Sequence, residues 1–175
     1  MATQPIARPD DTEYAPFYAG YVADVPETDV VAVLRASGRD IVAALAAIPE
    51  ARGGHRYAAD KWTVREVVGH MIDAERIFVY RALRLARADA TPLPGFEEND
   101  YVRAAGSDAR TLADLIDELR AVREATVQLF ASLPNEAWGR RGIVNGREVS
   151  VRALAFIAAG HARHHLAVLR ERYAG

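Results

Sequence analysis

Between residues 30 and 48 the apolar positions Val30, Val33, Leu34, Ile41, Leu45 and Ile48 recur at steps that put them on one helical face, until Pro49 stops the run. Helix one is predicted over that segment, weakened locally by Gly38. Thr63 precedes a second periodic run and Glu66 follows three residues later, the capping-box pattern in which each side chain satisfies the other's free amide. Helix two is therefore expected from Val64 to about Ala88, its apolar face including Val64, Val67, Val68, Met71, Ile77, Phe78 and Leu85. A third run, from about Thr111 to Leu133, carries Leu112, Leu115, Ile116, Leu119, Val122, Val127 and Leu129 and ends at Pro134. Ser150 can cap helix four, which continues to the end of the chain.

The intervening segments lack this period. Residues 1–28 hold Pro5, Pro9, Pro16 and Pro26 and are expected to form an extended lead-in, with a short turn around Tyr14 to Tyr21 packing aromatics onto the domain. Residues 89–107 form a loop rich in Pro, Gly, Asp and Asn but containing Phe96 and Tyr101, long enough to suggest a lid or binding segment. Before helix four, Asn145-Gly146 is a turn signal that points to a small ribbon or an irregular loop. Four helices, each with one apolar stripe, bury those stripes most simply as an all-α bundle.

The chain has 175 residues, which fits one domain with one core. Lys and Arg total 22 against 24 Asp and Glu, so there is no electrostatic footprint for nucleic acid or an anionic membrane. No signal-peptide pattern or apolar membrane span is visible, and a cytoplasmic location is expected. Cysteine is absent, which excludes disulfides, thiolate nucleophiles and sulfur-ligated metals. Any metal must sit on His, Asp, Glu or water.

Three of the five histidines fall in helix four, at 161, 164 and 165. His161 and His165 stand where the apolar stripe passes, one turn apart and about 40° apart around the axis, a spacing that lets two imidazoles converge on one ion. His164 lies to the other side of His161, and His55 sits in a Gly-rich connection expected to face solvent. On helix two His70 shares a stripe with Val67, Ala74 and Ile77, where a buried imidazole needs partners for both nitrogens. Histidines that merely hydrogen-bond neighbouring helices are the alternative at all three stripe positions. If they do bind metal, His70, His161 and His165 form an all-nitrogen set with an open coordination position, suited to zinc, nickel or iron. Glu75, Asp73, Asn99, Asp100 and Tyr101 are candidate acids or bases beside it, with Glu75 and Tyr101 preferred.

The segments KWTVREVVGHMIDAERIFVYR, FEENDYV and VSVRALAFIAAGHARHHLAVLRERY resemble the DinB superfamily, which includes YfiT-type metal-dependent hydrolases. That resemblance spans nearly the whole chain. It implies an up-down-down-up four-helix bundle, commonly a homodimer, with a divalent metal held by one histidine of helix two and two of helix four, matching His70, His161 and His165. The alanine-rich faces of helices one and four are compatible with close approach of a second copy. Enzymatic relatives include thiol transferases and mycothiol-dependent maleylpyruvate isomerases, so the resemblance implies transfer of a low-molecular-weight thiol to a small-molecule substrate. Metal-dependent hydrolysis, or metal and ligand binding without turnover, are the alternatives.

Overall fold

Each long helix starts where a side chain is available to satisfy its free amides. The computed structural model describes residues 6–173; Pro5, the rest of the first five residues and the last two lie outside them. Six α-helices occur among these residues: α1 (Ala19–Ala23), α2 (Val30–Ala46), α3 (Val64–Ala86), α4 (Glu98–Ala105), α5 (Leu112–Ala131) and α6 (Val151–Arg172). Asp29 accepts from the Ala32 amide to begin α2, Thr63 and Glu66 form the reciprocal box at α3, and Thr111 and Ser150 cap α5 and α6. The three helices expected before helix four therefore exist as α2, α3 and α5, each two residues shorter at the carboxyl end.

The four long helices pack in a ring in which α2 touches α5 and α6, and α3 touches the same two. Which ends meet shows their directions. The Leu112 amide at the start of α5 donates to Glu50, just beyond α2, and Arg52 donates to the Tyr173 carbonyl at the end of α6. Thr63, before α3, donates to Asp108, before α5. Helices α2 and α6 thus run together, antiparallel to α3 and α5.

This is an all-α core of packed helices, but not the simple four-helix bundle expected. The supposed loop over 89–107 contains α4, and the lead-in contains α1, seated on α6. The segment before α6 forms a true hairpin, β1 (Arg141–Val144) and β2 (Arg147–Ser150), antiparallel with Val144 opposite Arg147. Its turn residues Asn145 and Gly146 both have positive φ, 49° and 72°, as a two-residue hairpin turn requires. Leu93 bridges to Val144 and so ties the segment before α4 to the hairpin. The buried alanines 153, 155, 158, 159 and 162 of α6 face the interior of this chain and offer no surface to a second copy. No helix among the described residues is long and apolar enough to cross a membrane.

The apolar core divides in two. One cluster runs from Ala74, Phe78 and Leu85 of α3 to Leu154–Ala159 of α6; the other joins Val64–Ile72 to Leu166, Leu169 and Tyr173. Between them lies a buried polar layer containing His70, Glu75, Arg123 and His161. In this layer Arg123 of α5 crosses to α2, donating to the Leu34 carbonyl at 3.1 Å and to Ser37 at 2.9 Å. A Cβ at Gly38 would lie 2.7 Å from the Arg123 Cγ, so the glycine that weakens α2 also admits the arginine.

Candidate metal centre

His70 lies on the second turn of α3, and His161 and His165 lie one turn apart on α6. Because α3 and α6 run antiparallel in contact, residues 91 positions apart in sequence face each other. The Nε2 atoms of His70 and His161 are 3.0 Å apart, and those of His165 and His161 are 3.1 Å apart. All three ligand atoms lie within 4.8 Å of one another. His70 and His161 are buried and His165 is half-buried. Aromatic rings enclose the trio: Trp62 packs on His70 at 4.8 Å, while Phe78 and Tyr21 meet His161 edge-on at 5.5 and 5.4 Å.

Burial keeps these imidazoles neutral. It lowers the His70 pKa to about 4 and that of His165 to about 3, the latter with help from His70 and His164. His161 is pushed well below the ordinary histidine value by burial, then by the neighbouring histidines. Neutral imidazole presents one lone pair for a metal, and two nitrogens each about 2.1 Å from an ion at 90–110° stand about 3.0–3.4 Å apart. The spacing and protonation of the His70, His161 and His165 set therefore fit a divalent cation.

Of the other anticipated residues only Asn99 shares a cavity with a member of the trio, His165. Glu75 is turned to α5: its oxygens accept from Arg123 Nε and Nη2, both at 2.7 Å, and from Thr126 at 2.7 Å. Tyr101 is 45% exposed, with its ring 5.1 Å from that of Phe96. Asp73 is half-buried, with its carboxyl pushed up by burial, and Asp100 pairs with Arg103. His164 is exposed beside Tyr21. His55 is half-buried against Tyr173 rather than facing solvent freely. Asn99 lines a small cavity with His164 and His165.

One residue not singled out by the sequence does reach the trio. Glu98, in the first turn of α4, places Oε2 4.0 Å from the His70 Nε2. Burial and neighbouring Glu97 raise its pKa. The FEENDYV segment contains it, but an exposed glutamate among several acids carries no periodic signal. Glu98, His70 and His161 all line a cavity of about 330 Å³. Ala74 and Phe78 of α3 also line it, together with Tyr18 and Tyr21.

Two bulky placements depend on glycine. At Gly160 a Cβ would collide with the Tyr21 carbonyl, so the missing side chain lets α1 lie directly on α6 and carry Tyr21 over His161. At Gly69 a Cβ would collide with the Ser107 hydroxyl, so the turn after α4 seats against α3 next to His70.

Solved structures share this fold. YfiT from Bacillus subtilis, described as a probable metal-dependent hydrolase with an unusual four-helix bundle topology, matches with a TM-score of 0.71 at 15% identity, over 95% of this chain and 91% of that one. A mycothiol-dependent maleylpyruvate isomerase matches with a TM-score of 0.67 at 15% identity, over 83% of this chain and 61% of that one. The present chain thus accounts for about three-fifths of that isomerase. No curated protein matches in sequence. The family model of the DinB superfamily matches residues 34–169, a stretch that holds the four long helices almost entire and all three converging histidines, and the chain belongs to that superfamily.

Proposed function

We propose that this protein is a metal-dependent hydrolase of small molecules. The observation that carries the reading is the placement of the Glu98 carboxylate 4.0 Å from His70, on the wall of the cavity that His70 and His161 also line. His70, His161 and His165 would hold a divalent ion, which would supply Lewis acidity and make a nearby water more acidic. Zinc, nickel and iron all suit such a nitrogen set.

Glu98 acts as the proton acceptor. A carboxyl whose pKa is raised is a stronger base than an ordinary glutamate, and its seat on α4 leaves it solvent access to release the proton. Ala74 leaves space for the reacting group beside His70, and the Phe78 and Tyr21 rings exclude bulk water from His161. Glu75 holds α3 to α5 in this reading and touches no substrate.

Thiol transfer is the second reading, supported by the fold shared with the mycothiol-dependent isomerase. A thiol would then take the place of water, and Glu98 would accept its proton.

The test uses zinc-loaded protein, made without a polyhistidine tag, and p-nitrophenyl acetate as the probe. Hydrolysis should need the zinc and fall at least about 100-fold in Glu98→Gln, the usual scale of a lost general base, with zinc content unchanged. Equal rates in Glu98→Gln and wild type overturn the assignment of Glu98. Added glutathione appearing in the acyl product in place of water favours the thiol reading.

A further inference from the structure

The cavity that begins at the histidines has a second chemical feature at its other end. Arg81 lies on the same face of α3 as His70, Ala74 and Phe78, three turns and about 16 Å along the axis from His70. It is 4% exposed, yet it lines the cavity. Its Nη2 donates to the Pro94 carbonyl at 2.8 Å, and its guanidinium carbon lies 5.7 Å from the centre of the Phe96 ring. The Tyr18 hydroxyl stands beside it. Phe96 and Tyr18 also line the cavity.

What the guanidinium lacks is a counter-charge. Arg123, the other buried arginine among the described residues, meets Glu75 through two bonds of 2.7 Å. No carboxylate of the described residues pairs with Arg81. A guanidinium does not release its proton, and a buried one without an anion is strongly unfavourable. Its fork of donors matches a carboxylate: Nη2 holds the Pro94 carbonyl, the Tyr18 hydroxyl stands beside the group, and no other hydrogen bond of the described residues engages it.

We propose that Arg81 receives a carboxylate of the substrate, so that the site takes an elongated small-molecule carboxylic acid. Its apolar middle lies on Ala74 and Phe78, and its reacting group lies at the histidine end. The inference rests on the preceding reading for the identity of that reacting end, but not for the carboxylate. The cavity wall holds two cations, buried Arg81 and exposed Arg147, against Glu97, Glu98 and Glu148, with Glu148 itself bound to Arg141 at 2.7 Å, so the wall carries no net positive charge. A monoanion fits that balance better than a phosphate dianion does.

Calorimetry on the metal-free protein tests this, with octanoate, octanol and inorganic phosphate as probes. Wild type should bind octanoate at least tenfold more tightly than octanol, and Arg81→Met should bind the two alike. Arg81→Lys should keep part of the preference, because it retains the charge and loses the planar fork. Equal binding of octanoate and octanol to wild type, or an undiminished preference in Arg81→Met, overturns the proposal. If Arg81→Met does not fold, an Arg81→Lys preference equal to that of wild type overturns the recognition by the guanidinium. Phosphate binding as tight as that of octanoate overturns the monocarboxylate assignment. Zinc content, measured separately, should match wild type in each folded variant. A chain that binds no zinc but still prefers octanoate defeats the hydrolase reading and leaves this one intact.

Discussion

Tyr21 and Gly160 approach so closely that a side chain at position 160 would occupy the space of the Tyr21 carbonyl oxygen. The backbone of α1 is pressed onto α6 one residue before His161, and the Tyr21 ring then lies edge-on to that histidine at 5.4 Å. Gly160→Ala should therefore displace α1 rather than a flexible side chain. Overpacking of this kind costs about 1–3 kcal/mol, measured as a lower denaturation midpoint. Hydrogen exchange should quicken at the amides of residues 19–24 and at α6 beside them, while the far end of α5 keeps its protection. Unchanged exchange in α1 would mean that the contact is not needed to seat it.

The Glu75–Arg123 pair makes a separate prediction. Both residues are buried and their geometry is bidentate, so neutralising one leaves the other charged in a low-dielectric layer. Glu75→Gln should lower stability by about 3 kcal/mol or more, read by denaturant unfolding, with zinc content and the turnover of folded protein near wild type. A stable variant that has lost turnover would instead return Glu75 to the role of an acid or base at the histidines.

The contrast between Glu75 and Glu98 shows what the sequence carried. Capping residues and apolar periodicity are local, so Thr63 with Glu66, and Ser150, mark the helix starts correctly. The histidine trio is legible because His70, His161 and His165 all interrupt apolar stripes, and an imidazole in a buried stripe needs a partner. Glu75 also lies on an apolar face, but its partners Arg123 and Thr126 come from a different helix, 48 and 51 positions away. Proximity to the histidines in sequence says nothing about that pairing. Helix α4 shows no helical period in the sequence because it has eight residues, of which only Val102 is buried. Glu98 is hidden with it. The collision sites at Gly38 and Gly160 depend on which helices neighbour each other, and that is a tertiary property.

Metal-free protein should lose stability as the pH falls below the ordinary histidine range. His70 titrates near 6.5 when unfolded but only at about 4 in the folded chain, because burial disfavours its charged form. Between those values the unfolded state binds a proton that the folded state does not, so its contribution, complete above pH 6.5, decreases by about 1.4 kcal/mol per pH unit. The decrease stops below about pH 4, where both states are protonated. Comparing urea midpoints of wild type and His70→Asn at pH 7.5, 6 and 5 isolates this share from that of the carboxylates. The gap between the two proteins should change steadily across that range in the direction that disfavours wild type in acid. A pH-independent gap would show that His70 is not held neutral by burial.

His161 is the shared member of the trio, within 3.1 Å of both other Nε2 atoms. Its removal should therefore affect metal binding more than the loss of either partner alone does. His161→Ala leaves two ligand nitrogens, one on α3 and one on α6, and the affinity for zinc should fall at least about 100-fold, the scale reported for disturbances that merely weaken a site's supporting contacts. Stability of the metal-free protein should change by less, within about 2 kcal/mol. The cavity left between Phe78 and Tyr21 destabilises, whereas losing an imidazole that burial must keep neutral works in the opposite direction. Two large apolar clusters on either side of the polar layer stay intact in the variant. Zinc titration with a competing chelator, together with melting of metal-free wild type and variant, separates the two effects. A variant that binds zinc as tightly as wild type would show that the convergence of these nitrogens has no ion at its centre. A variant that cannot fold without metal would show instead that the polar layer, and not the paired apolar clusters, holds the bundle together.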